Sequence, residues 1–349
     1  MMDFRIEDLV TKLEGKKELG TEAAAAAARA LADGEVAEEA KRDFLIALAD
    51  KGETPGEVAA IAEVFRSMAR DPGLGEVAGG GIDIVGTGGD RSGTFNLSTA
   101  TALLAAAMGC TVIKHGNRSV SSKSGSADLL RSMGVDLEAS SEGLKAQLKR
   151  TGFVFLFAPN FHPAFRHIMP VRKALAAEGV VTIFNLLGPL INPARPAFEI
   201  MGVANEGWLE PMAETLELLG LRGGYVVHSV LHDGRRVDEL TVGGVNQVVG
   251  FGSQRGELER FEAERFGLVT GDPADLNGGT PEENLQMLKD LADGKAPRGL
   301  RDSVLLGAGF AALVAGRAGS VEAGIARGRE VLEKGIFADW LRNLVEGSA

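Results

Sequence analysis

Cysteine is almost missing from this sequence: Cys110 is the only one in 349 residues. No intrachain disulfide can form, and a zinc site built on several thiolates is excluded, as expected of a protein from a reducing compartment such as the cytoplasm. Positive charge is also in short supply, with 37 Lys and Arg against 48 Asp and Glu and a net charge of -11. A nucleic-acid surface needs clustered Lys and Arg to displace counterions, so no nucleic-acid partner is expected, although local basic pockets remain available. Long apolar runs are missing too. No segment reaches the length of about 18 uninterrupted apolar residues that marks a bilayer span, and the opening Met-Met-Asp-Phe-Arg-Ile-Glu-Asp is charged where a leader peptide would be apolar. Neither membrane insertion nor secretion is expected. The Gly-x-Gly-x-x-Gly spacing of dinucleotide-binding loops does not occur in the one glycine-rich loop that follows a strand pattern, which disfavours a nicotinamide oxidoreductase.

What the chain does have is a hydrophobic content of 45%, enough for a full core. Its length suggests two domains by the usual prior of ~150 residues each. Residues 1–72 carry three or four helical segments and no convincing strand. The run Glu22 to Ala32 is alanine-rich, and Thr54-Pro55-Gly56-Glu57 has the form of a capping box with proline at the first helical position. The segment 162–192, rich in His, Arg and Pro, reads as loop plus helix and is expected to return to this helical domain, which would put its polar residues in an interdomain cleft. After Asp71-Pro72-Gly73 and the triplet Gly79-Gly80-Gly81, apolar strand patterns alternate with helical ones. Strands are expected at 82–85, 111–115, 153–157, 199–203, 224–228 and 267–269. The fold class is therefore α/β: a small all-helical N-terminal domain plus a large α/β domain over 73–349, excluding the returning segment, with a mostly parallel central sheet flanked by helices. From Thr280 onward the pattern is helical again, opened by Pro281-Glu282-Glu283, with an apolar helix over 303–315. Ligands in such folds bind beyond the carboxyl ends of the strands.

Two small-residue loops lie at such ends, within GTGGDRSGTFNLSTATALLAAAMGCTVIKHGNRSVSSKSGSAD at 86–128. Gly86, Gly88 and Gly89 permit positive φ and close backbone approach, so successive N–H groups can cradle an anion. Asn96, Ser98 and Thr99 start a helix whose unpaired donors and dipole add to that cradle. By themselves these glycines read equally well as a tight strand-to-helix turn. Likewise, Asp238-Glu239 alone reads as a solvated loop, Arg172-Lys173 as a surface pair and His115 as an edge histidine bonded to backbone. Cys110 reads as a small buried side chain, and Trp208 and Trp340 as helix-packing residues.

The ordered motifs GTGGD, NLST, KHGNRSVSSKSGSAD, HPAFRHIMPVRK, TIFNLLGPLINPA and VDE at 237–239 together resemble the anthranilate phosphoribosyltransferase family, and the likeness runs through essentially the whole chain. The resemblance implies a homodimer that moves phosphoribose from 5-phosphoribosyl 1-pyrophosphate to the amine of anthranilate in tryptophan biosynthesis, with Mg²⁺ as cofactor. It assigns the donor to Gly86, Gly88, Gly89, Asp90, Thr94, Asn96, Leu97, Ser98, Thr99, Lys114, Arg118, Ser119, Ser121, Ser122 and Ser126. Anthranilate falls to Gly86, His115, Asn117 and Arg172, with His115 and Asn117 positioning it and no covalent nucleophile. Ser98, Asp238 and Glu239 become the metal residues. His162, Arg166 and His167 receive no role. The chain departs from the family pattern at Arg91, where a glycine is usual, in a longer run from Arg172 to Gly179, in an extended His228 to Gly234, and at Gly307 in place of an asparagine. Two other readings remain: the same fold with a different aromatic acceptor, and a non-catalytic paralogue that binds nucleic acid.

Overall fold

The computed structural model describes residues 5–118 and 123–346. Four helices, Ile6–Glu14, Thr21–Ala32, Glu38–Lys51 and Pro55–Ser67, form the N-terminal unit. Alanine is the best helix former and carries no bulk, so the 23–28 run lets neighbouring helices approach closely; Ala24, Ala27 and Ala28 are wholly buried. The capping box at Thr54 forms, with the Glu57 carboxylate accepting from Thr54 N at 2.9 Å and the Thr54 hydroxyl accepting from Glu57 N at 3.4 Å. That same buried carboxylate also accepts from Leu19 N at 2.8 Å and pairs with Lys51 at 2.7 Å, so one acid ties the third and fourth helices to the link between the first two. Ile168, Val171, Leu175, Ile183, Phe184, Leu187 and Leu190 join the apolar cluster of this unit, which extends to Met201, Val226 and Phe251 of the sheet.

The strands are β1 Ile82–Gly86, β2 Val112–Gly116, β3 Phe153–Phe157, β4 Phe198–Gly202, β5 Gly223–Leu231, β6 Arg236–Val237, β7 Gly244–Gly252 and β8 Glu259–Phe261. They run in the order β3-β2-β1-β4-β5-β7-β8, with β6 paired to β5. Pairing is parallel from β3 to β5 and antiparallel beyond it. Chain order reverses between β1 and β4, where Gly86 stands opposite Gly202. A crevice opens at such a reversal, beyond the strands' carboxyl ends.

The observed strands depart from the expected ones in two places. Residues 267–269 are not a strand: Gly267, at φ 69°, closes the 3₁₀ turn Ala263–Phe266. The sheet's antiparallel margin, β7 with β8, was not expected at all. The extended His228 to Gly234 segment belongs to that margin, because β5 continues to Leu231 and then turns back through Gly234 into β6.

Helices cover both faces of the sheet. Leu97–Ala107 and the almost entirely buried Arg298–Val314 pack against each other, with Gly307 facing Thr101 so closely that a Cβ would lie 2.9 Å from its side chain. Cys110 is buried nearby, and burial pushes its thiol up to about 11. Trp340 donates its indole N–H to the Thr151 carbonyl, and Trp208 packs on the helical cluster.

Candidate functional site

Beyond β1 the chain enters its glycine loop. Gly88, Gly89 and Gly93 have φ of 68°, 77° and 68°, and Arg91, a residue with a Cβ, has φ 53°. A left-handed residue with a side chain costs roughly 1–2 kcal/mol, so the loop holds Arg91 against its preference. Asp90 Oδ1 accepts from Ser92 N at 3.1 Å, and the Ser92 and Thr94 hydroxyls bond each other at 2.9 Å. The N–H groups of Gly89, Asp90 and Arg91 have no acceptor among the described residues.

The helix after this loop begins at Leu97 without a cap from its own Asn96, whose amide instead bonds the Ser124 carbonyl at 3.0 Å and accepts from Asn284 at 2.8 Å. Its first turn is capped from 141 residues away: Ser98 N donates to Glu239 Oε1 at 2.9 Å. Adjacent Asp238 accepts from Gly88 N at 2.7 Å. The acidic pair therefore closes on both the glycine loop and the helix start, which favours negative charge there. Close approach demands glycine at two places, since a Cβ on Gly86 would lie 2.3 Å from Asp238 Oδ2 and one on Gly202 1.7 Å from the Asp238 carbonyl.

Burial and the neighbouring Asp90 charge push Asp238 up to about 7, and burial with the Asp238 charge pushes Glu239 up to about 8. Lys114, on β2, is buried beside them and donates to the Ile84 carbonyl and, at 3.4 Å, to the Ser98 hydroxyl. Burial lowers its pKa, against the opposing charges of Asp83, Glu239 and Asp238. No carboxylate lies within salt-bridge distance of Lys114 among the described residues. Thr99 also lies at this helix start, with its buried hydroxyl unpartnered.

The second cluster is aromatic. His115 Nδ1 lies 3.1 Å from the Gly188 carbonyl, and its Nε2 lies 3.2 Å from His162 Nε2. A carbonyl only accepts, so His115 carries its proton on Nδ1 and accepts from His162 through Nε2. Burial draws the two rings down to about 3 and about 4, and both are neutral. Both ring nitrogens of His115 are thus already partnered. The His162 ring packs edge-on against Phe165, and Phe165 against Phe184. Arg172 lies over these two rings, 5.6 and 4.9 Å from their centroids, with no carboxylate beside it among the described residues. Its helix, Met169–Ala177, ends at Glu178 and left-handed Gly179, and Glu178 forms a two-pronged pair with Arg42 at 2.8 and 2.9 Å. The run expected from the sequence to be longer forms the rest of this helix and its left-handed end at Gly179.

Asn117 is exposed; its Oδ1 accepts from Arg118 N at 2.7 Å and its carbonyl accepts from the Ser126 hydroxyl at 3.2 Å. Arg118 lies 5.7 Å above the Phe157 ring. Ser119, Ser121 and Ser122 lie outside the described residues. Sequence reasoning missed Asp83 and Asn192. The Asp83 carboxyl, pushed up to about 6 by burial, accepts from Asn192 Nδ2 at 2.8 Å and from His115 N at 3.3 Å, and so fixes the strand that carries Lys114 and His115. An acid in the middle of the apolar Gly81-Ile82-Asp83-Ile84-Val85 was the signal for it.

Comparison with known proteins matches residues 7–69 to the helical bundle domain of a glycosyl transferase family and residues 79–337 to that family's a/b domain. An anthranilate phosphoribosyltransferase of Thermus thermophilus is 47% identical over 307 residues, 88% of this chain and 89% of that one. The crystal structure of an anthranilate phosphoribosyltransferase from Thermus thermophilus superposes with a TM-score of 0.86 at 43% identity, covering 98% of this chain and 99% of that one. The anthranilate phosphoribosyltransferase of Saccharomyces cerevisiae, solved in complex with PRPP and Mg, shares the fold at a TM-score of 0.83 and 24% identity, covering 98% and 97%.

Proposed function

Because the chain belongs to the anthranilate phosphoribosyltransferase family, we propose that this site transfers the phosphoribosyl group of 5-phosphoribosyl 1-pyrophosphate to the amine of anthranilate and releases pyrophosphate. One observation carries the assignment of the donor: Asp238 and Glu239 close on Gly88 N and Ser98 N, bringing an acidic pair, a glycine loop and a helix start to one point.

A polyanion needs many donors and cations. The N–H groups of Gly89, Asp90 and Arg91, which have no acceptor among the described residues, supply them together with Lys114 and the dipole of the helix that opens at Leu97, Ser98 and Thr99, with Gly86, Thr94 and Asn96 shaping the pocket and Arg118 and Ser126 beside it. The adjacent carboxyl groups of Asp238, buried, and Glu239, half-buried, line one small cavity with Ser98 and form an all-oxygen donor set suited to Mg²⁺, which takes few protein ligands and keeps waters. Asp238, Glu239 and Ser98 would hold it. When bound, the ion neutralises the charge that develops on departing pyrophosphate.

Anthranilate's aniline nitrogen is neutral at pH 7 and attacks the anomeric carbon without a protein nucleophile, in a single displacement with inversion. The protein's contribution is to position and to stabilise charge. Arg172, resting on two rings with no carboxylate beside it among the described residues, presents its planar fork to the anthranilate carboxylate. Asn117 and the Gly86 backbone flank the ring, and neutral His115, held by Gly188 and His162, acts through position rather than as a base. A cytoplasmic homodimer in tryptophan biosynthesis belongs to the same reading, and the lone buried cysteine suits a reducing compartment.

Loss of anthranilate fluorescence on adding donor and Mg²⁺ tests the whole reading, with an Asp238→Ala/Glu239→Ala variant as control. A native protein that gives no donor-dependent signal rejects it, and turnover of other aromatic amines in preference to anthranilate would favour the alternative acceptor.

A further inference from the structure

We propose that Arg235 is a positioning residue that sets the distance between the acidic pair and the glycine loop, an inference that rests on the donor site proposed above. Arg235 stands in the extended hairpin between β5 and β6, three residues before Asp238. Its guanidinium spends its N–H groups on three separate segments. Nη1 donates to the Ser92 carbonyl at 3.0 Å and to Asn277 Oδ1 at 2.8 Å, Nη2 donates to the Pro273 carbonyl at 3.0 Å, and Nε donates to Asp233 at 2.8 Å.

Each of these partners bears on the donor loop. Ser92 carries the turn that holds Thr94. The 273–278 segment is laced to the same turn, with Phe95 N donating to the Leu276 carbonyl at 2.7 Å and Gly278 N to the Gly93 carbonyl at 2.8 Å. Asp233 fixes the hairpin tip that leads into Asp238 and Glu239. A single planar fork therefore joins the loop that receives the donor to the strand end that supplies the acids. Ser92 is buried, but the Arg235 and Asp233 side chains are partly exposed, so water reaches the acceptors that Arg235 leaves and the fold survives its loss. What disappears is the register between the two loops, and misplacement by about 1 Å near a reacting centre costs on the order of a hundredfold.

The experiment compares wild type with Arg235→Ala and Arg235→Lys. Both steady-state KM values are measured, together with calorimetric binding of pyrophosphate in Mg²⁺, which needs no turnover. For Arg235→Ala we expect the donor KM and the pyrophosphate dissociation constant to rise about tenfold or more, with the anthranilate KM moving less than about twofold. Arg235→Lys should recover only part of this, because an ammonium with three donors cannot meet four acceptors arranged around one planar fork. Equal changes in both KM values, unaltered pyrophosphate affinity or full recovery with lysine would overturn the proposal. If wild type binds pyrophosphate but leaves anthranilate untouched, the functional reading fails while the affinity of the Arg235 variants still decides this one. If wild type does not bind pyrophosphate, both fall.

Discussion

Gly86→Ala asks for one methyl group where none fits. Gly86 lies outside the left-handed region, so alanine brings no backbone strain and its effect is purely steric. Its Cβ would lie 2.3 Å from Asp238 Oδ2 and 2.9 Å from Asp238 Cγ, about 1 Å inside ordinary contact. Strand β1 is held in register by β2 and β4, and the Asp238 side chain is what must give. When the carboxylate moves by that amount it releases Gly88 N, now 2.7 Å away, and a hydrogen bond to a charged group contributes roughly 1.5–3 kcal/mol. Overpacking adds about 1–3 kcal/mol of instability. We expect kcat/KM for the donor to fall about a hundredfold, by the cost of a 1 Å misplacement, while thermal unfolding shifts by only a few degrees. Gly80→Ala is the control, because Gly80 is exposed and has nothing within 4 Å of its added Cβ. Donor kinetics at saturating anthranilate and Mg²⁺ provide the assay. A Gly86→Ala enzyme with wild-type donor kinetics would refute the claim that Asp238 must sit against β1.

Arg172→Ala removes the proposed carboxylate partner and should raise the anthranilate KM about tenfold or more with the donor KM unchanged, measured by fluorescence; an unaltered anthranilate KM would count against the assignment. Asp238 and Glu239 are raised in the fold to about 7 and about 8, above ordinary carboxyl values near 4, so their contribution to metal-free stability is present at low pH and is lost as pH rises through 7 to 8. Thermal unfolding with a chelator should show that decline, an Asp238→Asn/Glu239→Gln variant should flatten it, and the half-saturating Mg²⁺ should fall between pH 6 and 8 as protons leave the pair. Glu57→Ala strands buried Lys51 and the Leu19 N–H together, and chemical denaturation should report a loss of about 3–5 kcal/mol with no specific change in either KM.

The parallel half of the sheet was legible because each strand is a short, mostly apolar run with a glycine at or beside at least one end, a pattern that needs no knowledge of neighbours. The antiparallel margin was not. Strand β7 reads GVNQVVGFG, and its glycines, which lower strand propensity, are there because the partner backbone comes too close for a side chain: a Cβ on Gly244 would lie 2.1 Å from the Val230 carbonyl. That requirement is set by tertiary pairing and leaves no local trace. Residues 267–269 mislead for the converse reason, an apolar triplet whose first residue serves as the left-handed end of a turn. At the site, the residues of the glycine loop and helix start read either as an anion cradle or as a tight strand-to-helix turn, and only the Asn96, Ser98 and Thr99 cluster favoured the first. The acidic pair was not legible, because adjacent acids on a loop are commonly solvated and only the fold buries them at the carboxyl ends of β1 and β4.

Two segments that read from the sequence as longer than the family pattern are each tied down in the fold. The residues after Arg172 continue its helix away from the guanidinium, and Glu178 then grips Arg42 of the helical unit while Arg172 rests on its rings. The residues after His228 carry β5 to Leu231 and return through a tight hairpin, and Arg235 grips the glycine loop and the 273–277 segment. In both cases the segment is closed by an arginine whose planar fork meets two or more acceptors in another element. Loop length by itself costs little, since each doubling adds only about 0.6 kcal/mol of closure entropy. Misalignment is what a site cannot tolerate, and these arginine ties restrict it. The two ties differ mainly in what they join: the Arg42–Glu178 pair is a half-exposed surface contact of the kind that contributes little, whereas Arg235, somewhat less exposed, donates from every guanidinium nitrogen and holds the glycine loop and the 273–277 segment. Removing the first should therefore leave kinetics almost unchanged, and removing the second should show in the donor constants alone.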